Sequence, residues 1–419
     1  MKVLIKNATI ISSSSPHNGQ SIDILIDNGI ITELKQEIIS DAEKIIKAEG
    51  LHISAGWMDC FANFCDPGDE YKETLKTGSN AAAAGGFTEA MLIPNTNPVV
   101  DNKSQVEYIV QSGRQLSVTL HPIGAVTKHA GGKELSEMYD MHSTGAVAFS
   151  DGINSLQSSG VLLKALQYVS AFDGTIIQMP DDKNIGANGL MNEGVTSTWL
   201  GLPGKPAIAE ELSIARDIEL VKYTGSKIHF TGISTKRSLQ IITKAKEDGL
   251  QVTCSVTPYH VFFCDEDLST YDTNLKVNPP LRTKEDMKAL RESLKNGLID
   301  CVASHHQPQD WDCKTCEFEY AKNGMTGLES LFGVISMCEI SIVDFVKMQS
   351  ENSRKIFALP VPEIRKGVKA NLTLFVPGIE YVFTEQHIYS KSKNNAFVGK
   401  QLKGKTIGII NGDKVFLNK

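Results

Sequence analysis

No apolar run in the chain approaches the ~20 residues needed to span a bilayer, and the opening Met1–Ile11 segment alternates in period two, like a strand, without the apolar core of a signal peptide. The chain is therefore expected to be cytoplasmic. Excess positive charge is also lacking: 42 Lys and Arg stand against 49 Asp and Glu, a net charge of −7. Such a balance offers no field for nucleic acid or an anionic membrane. Cysteines are few for the length, eight in 419 residues. They are scattered without the density of a secreted disulfide framework, so reduced thiols are expected. The one local pair, Cys313-Lys-Thr-Cys316, reads as two loop thiols more readily than as half of a zinc site. No Gly-x-Gly-x-x-Gly turn follows a strand-like run, which removes support for a dinucleotide site.

What is present is an alternation. Eight apolar strand-like runs, near Ile53–Asp59, Thr88–Ile93, Ser117–Gly124, Gly145–Ser150, Gly174–Met179, Lys227–Gly232, Gln251–Val256 and Ile299–Ser304, are each followed by a helical or loop segment. Alternating strands and helices predict a parallel sheet, and eight such units fit a closed (β/α)8 barrel of the TIM type. At both ends the pattern changes to short β-rich runs separated by turn residues, as at Asp27-Asn-Gly29 and Asn411-Gly-Asp413. The fold class expected is α/β: a barrel over residues 53–359, with a small β-sandwich domain composed of residues 1–52 and 360–419. Chemistry belongs at the C-terminal ends of the barrel strands.

The first such end reads Gly56-Trp-Met-Asp59-Cys-Phe61-Ala-Asn63-Phe-Cys65-Asp-Pro67-Gly68. This segment resembles the first-strand motif of dihydroorotases in the amidohydrolase superfamily, Gly-x-x-Asp-x-His-x-His-x-Arg-x-Pro-Gly. The resemblance continues through Glu70-Tyr-Lys-Glu-Thr74, Pro94-Asn-Thr-Asn-Pro98, Phe149-Ser-Asp-Gly152, Asn192-Glu-Gly194, Ser234-Thr-Lys236 and Val277-Asn-Pro-Pro-Leu-Arg282. It implies a zinc-dependent hydrolysis of a cyclic amide in pyrimidine biosynthesis. There a divalent metal polarises the carbonyl and lowers the pKa of bound water.

Carried over residue by residue, the resemblance implies that the ligand positions are occupied by other residues. The two histidines of the first strand fall on Phe61 and Asn63, that of the fifth on Met179, and that of the sixth on Gly232. The bridging carboxylate position is held by Asp151, and the eighth-strand aspartate, the general base, falls on His305. Phenylalanine has no lone pair to donate and an asparagine amide is a poor zinc ligand. Among the groups implied to grip substrate, Asn95 and Asn278 match, whereas the arginine is Cys65 and a histidine is Gln309. Loss of a bidentate guanidinium weakens carboxylate binding. No metal or cofactor is expected on this reading.

Remaining polar residues have plain readings. Asp59 suits a backbone-ordering role and His260 a hydrogen-bonded rim histidine, while Glu134, Glu137 and Asp140 suit a solvated helix face. His305 and His306, being adjacent, are expected on opposite strand faces, so that one at most enters the mouth. A replacement metal site from Asp151, His260 and His305, joined by Cys313 and Cys316, is not required by the spacing. Three functions are compatible with these residues. The first is a non-catalytic homologue that acts as a structural partner of aspartate transcarbamoylase, as the resemblance implies, and that is itself dimeric. The second is an active amidohydrolase with an unusual zinc site, and the third a small-molecule binder without chemistry.

Overall fold

The computed structural model describes all residues, 1–419. Eight barrel strands occur in chain order: Trp57–Ala62, Phe87–Leu92, Thr119–Gly124, Ala148–Phe149, Thr175–Gln178, Lys227–Phe230, Val252–Val256 and Cys301–Val302. Each pairs in parallel with its sequence neighbours. A parallel bridge between Ala62 and His306 links the segment after the eighth strand to the first strand. The expected barrel is what the chain forms. Its interior is filled by an apolar layer that includes Met58, Phe61, Met91, Ile123, Ile177 and Phe357. The mouth is thus the floor of a cup and not the opening of a channel. A larger core of 54 buried residues packs the outer faces of the strands against the helices. No helix is long and apolar enough to cross a membrane.

Both chain ends build one eight-stranded sheet with its own apolar core, in which Lys2–Ile11 lies between Ser21–Asp27 and His52–Ala55, and Asn371–Val382 follows His52–Ala55. The hairpins are antiparallel, but Lys2–Ile11 pairs in parallel with His52–Ala55. Residues 53–55, read from the sequence as the start of the first barrel strand, therefore belong to this terminal sheet. The switch is made at Gly56, where a Cβ would lie 2.0 Å from Asn371 Oδ1 and 2.1 Å from Thr88 Oγ1. Only glycine lets the strand leave one sheet and enter the other at that distance.

Immediately after the switch, Trp57 is fully buried against Phe332, Phe345 and Phe375, with its indole N–H donated to Ser54 Oγ at 2.9 Å. Sheet and barrel share that aromatic cluster. Residues 383–400, grouped by sequence with the small domain, pack instead over the barrel mouth: Phe383, Ile388 and Phe397 share a core with Tyr259 and Met325. Asn394 ties the same segment to the loop after the eighth strand, donating to Gln307 O and Gly324 O, each at 3.1 Å.

Candidate active site at the barrel mouth

A cavity of about 290 Å³ opens at the C-terminal ends of the strands. Five of the residues singled out from the sequence line it together: Phe61, Met179, Asn278, His305 and Gln309. Ile93, Ile153 and Tyr259 add apolar wall that the sequence did not point to. Phe61 lies against the His305 imidazole, ring centroids 4.5 Å apart and planes 30° from parallel. The first-strand side chain thus covers the ring with carbon.

Below this pair runs a buried polar chain. His305 Nε2 shares a hydrogen bond with Thr231 Oγ1 at 2.7 Å, Thr231 with Ser255 Oγ at 2.9 Å, and Ser255 with His229 Nε2 at 3.0 Å; His229 Nδ1 ends on Thr253 Oγ1 at 2.9 Å. Burial, reinforced by the neighbouring His260 and His229, holds His305 far below its ordinary value, at about 3. Burial likewise holds His229 and His260 at about 3. All three are neutral at pH 7; both ring nitrogens of His229 and of His260 are engaged by hydroxyls and carbonyls, whereas His305 is held through Nε2 alone. His260 donates from Nε2 to Pro279 O and Pro280 O at 3.0 and 3.2 Å, which leaves Nδ1 to accept from Thr257 Oγ1 at 2.8 Å. It has the hydrogen-bonded role its sequence suggested.

His305 and His306 do not obey simple alternation, because the regular strand stops at Val302 and His305 has a φ of +44°. Both border the cavity. The His306 side chain is fully buried, accepting from Gly327 N at 3.2 Å through Nδ1 and donating from Nε2 to Glu73 at 3.4 Å. Burial alone would raise the Glu73 carboxyl, but hydrogen bonds and charge from His306, with the Ser390 and Thr77 hydroxyls, lower it. This pair anchors the 390 segment to the first barrel helix.

Other expected site residues stand apart from the cavity. Asp151 accepts from Thr127 N at 2.9 Å and from Thr127 Oγ1 at 2.5 Å, and burial raises its carboxyl. Asn95 fastens the following turn, donating to Asp151 O at 3.1 Å and accepting from Ile153 N at 3.0 Å. Asn63 Oδ1 accepts from Cys65 N at 2.8 Å, and the Cys65 thiol, raised by burial, sits in the positive-φ region at +58°. Asp59 accepts from Ser304 N at 2.7 Å and Ser304 Oγ at 2.8 Å, closing the first strand onto the last, and burial raises it too. Gly232 fits beneath His305, with no room for a side chain.

These donors do not fit a zinc ion. Nowhere do three His, Cys, Asp or Glu groups come together in a form that holds a metal, and structural or catalytic zinc needs at least three protein ligands. Asp151, His260 and His305 are separately engaged, so the replacement site considered from the sequence does not assemble. Cys313 and Cys316 are half-buried loop thiols.

Next to the cavity lies a polar cluster that no single residue type announced. Lys205 Nζ donates to Asp181 Oδ2 at 2.7 Å and to Asn278 Oδ1 at 2.9 Å. Buried Arg282 reaches Ser234 Oγ at 3.0 Å, Asn192 Oδ1 at 3.1 Å and Lys205 O at 2.9 Å. The asparagine, serine and arginine come from three of the segments that carry the family resemblance, which was the available signal.

Comparison with known proteins places these features in context. A family model described as Dihydro-orotase-like matches residues 51–238. A protein named Dihydroorotase from Syntrophus aciditrophicus (strain SB) is 37% identical over 414 residues, covering 97% of each chain. Another of that name from Carboxydothermus hydrogenoformans is 39% identical over 410 residues, covering 96% of this chain and 95% of that one. Among solved structures, L-hydantoinase (dihydropyrimidinase) from Arthrobacter aurescens superposes with a TM-score of 0.86 at 23% identity, covering 100% of this chain and 96% of that chain. A D-hydantoinase gives 0.83 at 19%, covering 100% and 95%. The solved structures speak for the fold.

Proposed function

The chain belongs to the dihydroorotase family of the amidohydrolase superfamily, and from that premise we propose that it is a non-catalytic member, a pseudoenzyme retained for its fold and surface. The observation that carries this reading is the Phe61–His305 contact at the mouth. Where metal-assisted hydrolysis needs converging lone pairs, this chain has an aromatic ring on a neutral imidazole, with Met179 beside it. Zinc binding at the position implied by the family is not supported by these donors, and no other nucleophile and base are paired in the cavity. Removing the metal from such a reaction forfeits several kcal/mol of transition-state stabilisation.

Aspartate transcarbamoylase is the partner proposed for the scaffold role, and a homodimer is the proposed state of the chain. Both rest on the family resemblance. The test of inactivity is interconversion of carbamoyl aspartate and dihydroorotate by purified, zinc-supplemented protein beside a mock purification. The expected result is no turnover above the mock. Co-purification with a transcarbamoylase tests the scaffold role.

A second reading is favoured by identities of 37–39% over nearly the whole chain to proteins named Dihydroorotase: an active cyclic-amide hydrolase that uses an unrecognised metal arrangement. Turnover well above the mock would establish it and remove the first reading.

A further inference from the structure

Cys313 and Cys316 are the two cysteines that the fold leaves half-buried, while the other six are buried. They stand at a turn in the loop after the eighth barrel strand, where Lys314 N and Thr315 N both donate to Trp311 O, at 3.0 and 2.8 Å. The chain bends again at Thr315 and Cys316. The Cys316 thiol is thereby turned back onto its neighbour, its Sγ 3.9 Å from Cys313 O. An extended segment would hold the two residues roughly 10 Å apart, beyond the reach of a disulfide.

The turn is fixed from both sides. Lys322 N donates to Cys313 O at 3.1 Å, Thr273 Oγ1 to Lys314 O at 2.6 Å, and Gln309 Nε2 to Asn323 O at 2.9 Å. Thiols held together in this way favour closing a ring over reacting as two separate groups.

Charge distinguishes a dithiol from a metal site. Lys314, between the two cysteines in sequence, and Lys276, on the neighbouring segment, are both buried. Their ammoniums donate to backbone carbonyls and form no salt bridge: Lys276 reaches Phe318 O at 2.6 Å and Glu319 O at 2.9 Å, and Lys314 reaches Thr273 O at 2.8 Å. Burial holds both below the ordinary lysine value, Lys314 at about 7 with help from the charge of Lys276, while charge at Cys316 opposes the shift in each. A zinc ion on these thiols would face two ammoniums, and no third His, Cys, Asp or Glu completes a ligand group. A thiolate meets cations there instead. Burial and the neighbouring Asp310 carboxylate push the Cys313 thiol up, which leaves Cys316 as the attacking sulfur.

We infer that Cys313 and Cys316 form a redox-active dithiol, a modification site that exchanges with low-molecular-weight disulfides and is independent of any chemistry at the mouth. The Cys316 thiolate attacks one sulfur of the incoming disulfide, breaking its S–S bond and releasing a thiolate that takes a proton from water. Cys313 then gives its proton to water, and its sulfur attacks that of Cys316, forming the internal S–S bond and expelling the second thiol. The incoming disulfide gains two electrons and two protons, and the dithiol loses both.

The experiment is incubation of the reduced full-length protein with glutathione disulfide at pH 7.5, quenched with acid and read by intact mass and peptide mapping. The expected result is the loss of two hydrogens, confined to the peptide that holds both cysteines and reversed by dithiothreitol. Cys313→Ser should stop at a glutathione adduct on Cys316, and Cys316→Ser should form its adduct on Cys313 about tenfold more slowly. Persistent adducts on both thiols of the wild type, no reaction at the pair, or zinc retained by the pair after dialysis overturns the inference. If either variant does not fold, the wild-type mass change decides alone. The readout is a mass and not a turnover, so it comes out the same whether or not the barrel mouth is catalytic.

Discussion

Gly232 lies so close to His305 that a Cβ on it would stand 2.7 Å from the imidazole Cε1, and its φ of +71° is one that side chains rarely adopt. The two residues are therefore coupled: a donor side chain at 232 is admissible only if the ring at 305 shrinks and the backbone relaxes. Restoring imidazoles on the first strand alone is thus expected to fail. The Phe61→His/Asn63→His protein should retain only substoichiometric zinc after dialysis, and it also loses the Asn63 acceptor that orders Cys65 N. Adding Met179→His, Gly232→His and His305→Asp together supplies the missing donors, and stoichiometric zinc is expected only then. Metal analysis of both proteins decides it, and full occupancy in the double variant would show that the coupling is unimportant.

The neutral histidines predict an acid-labile fold. His229, His260 and His305 are held at about 3 in the folded chain, against an ordinary value of 6.5. Between those values the unfolded chain binds a proton at each and the folded chain does not, so stability rises with pH through this window and is lost as pH falls below 6.5. Each ring contributes a slope of about 1.4 kcal/mol per pH unit. Urea unfolding at pH 5, 6 and 7 should give a steep decline, and His305→Gln should make it shallower by about one such increment. An unchanged slope in that variant would mean that His305 is already charged or solvated in the native state.

The opposite end of the barrel holds a buried ion pair between Arg354 and Glu89. Arg354 is wholly buried and donates from Nη2 to Glu89 Oε1 at 2.7 Å and from Nη1 to Gly56 O at 2.7 Å, while Asn371 donates to the same carboxylate oxygen at 3.0 Å. Burial pushes Glu89 up, but the His121 hydrogen bond and the Arg354 charge outweigh it and hold the carboxyl at about 2. Arg354→Met leaves that carboxylate without its cation and should cost about 3–5 kcal/mol in chemical denaturation. A loss under about 1 kcal/mol would assign the pair to the surface class instead.

The barrel was legible because its strands are apolar runs of parallel-sheet length, and eight of them recur between helical patterns. What escaped the sequence was local. The terminal sheet takes residues 53–55 because it needs a strand beside Lys2–Ile11, and an apolar run carries no mark of which sheet it joins. At the mouth, the loss of alternation between His305 and His306 follows from the early end of the last strand. The Thr231–Ser255–His229 chain was invisible because serine and threonine in a strand usually signal nothing. Phe61, Met179, Asn278, His305 and Gln309 were found together because the resemblance ordered them. Asp151, Asn95 and Cys65 occupy positions of the same motifs, Cys65 in place of the arginine, and yet serve loops, since a motif fixes sequence order and not which way a side chain is engaged.

Thiol accessibility offers a direct check on the interior. All eight cysteines are free, and six of them, Cys60, Cys65, Cys254, Cys264, Cys301 and Cys338, are buried. Burial raises the thiols of Cys65, Cys254 and Cys338, which lowers the thiolate fraction available to attack a disulfide reagent. Cys313 and Cys316 are only half-buried, in the loop beside the mouth. Titration of the native protein with an aromatic disulfide reagent should therefore release colour from those two quickly, and from the other six only after denaturant is added. The Cys313→Ser/Cys316→Ser protein should show almost no fast phase. Rapid reaction of Cys60 or Cys301 in that variant would place an opening in the barrel core, because reaching either requires the first and last strands to part.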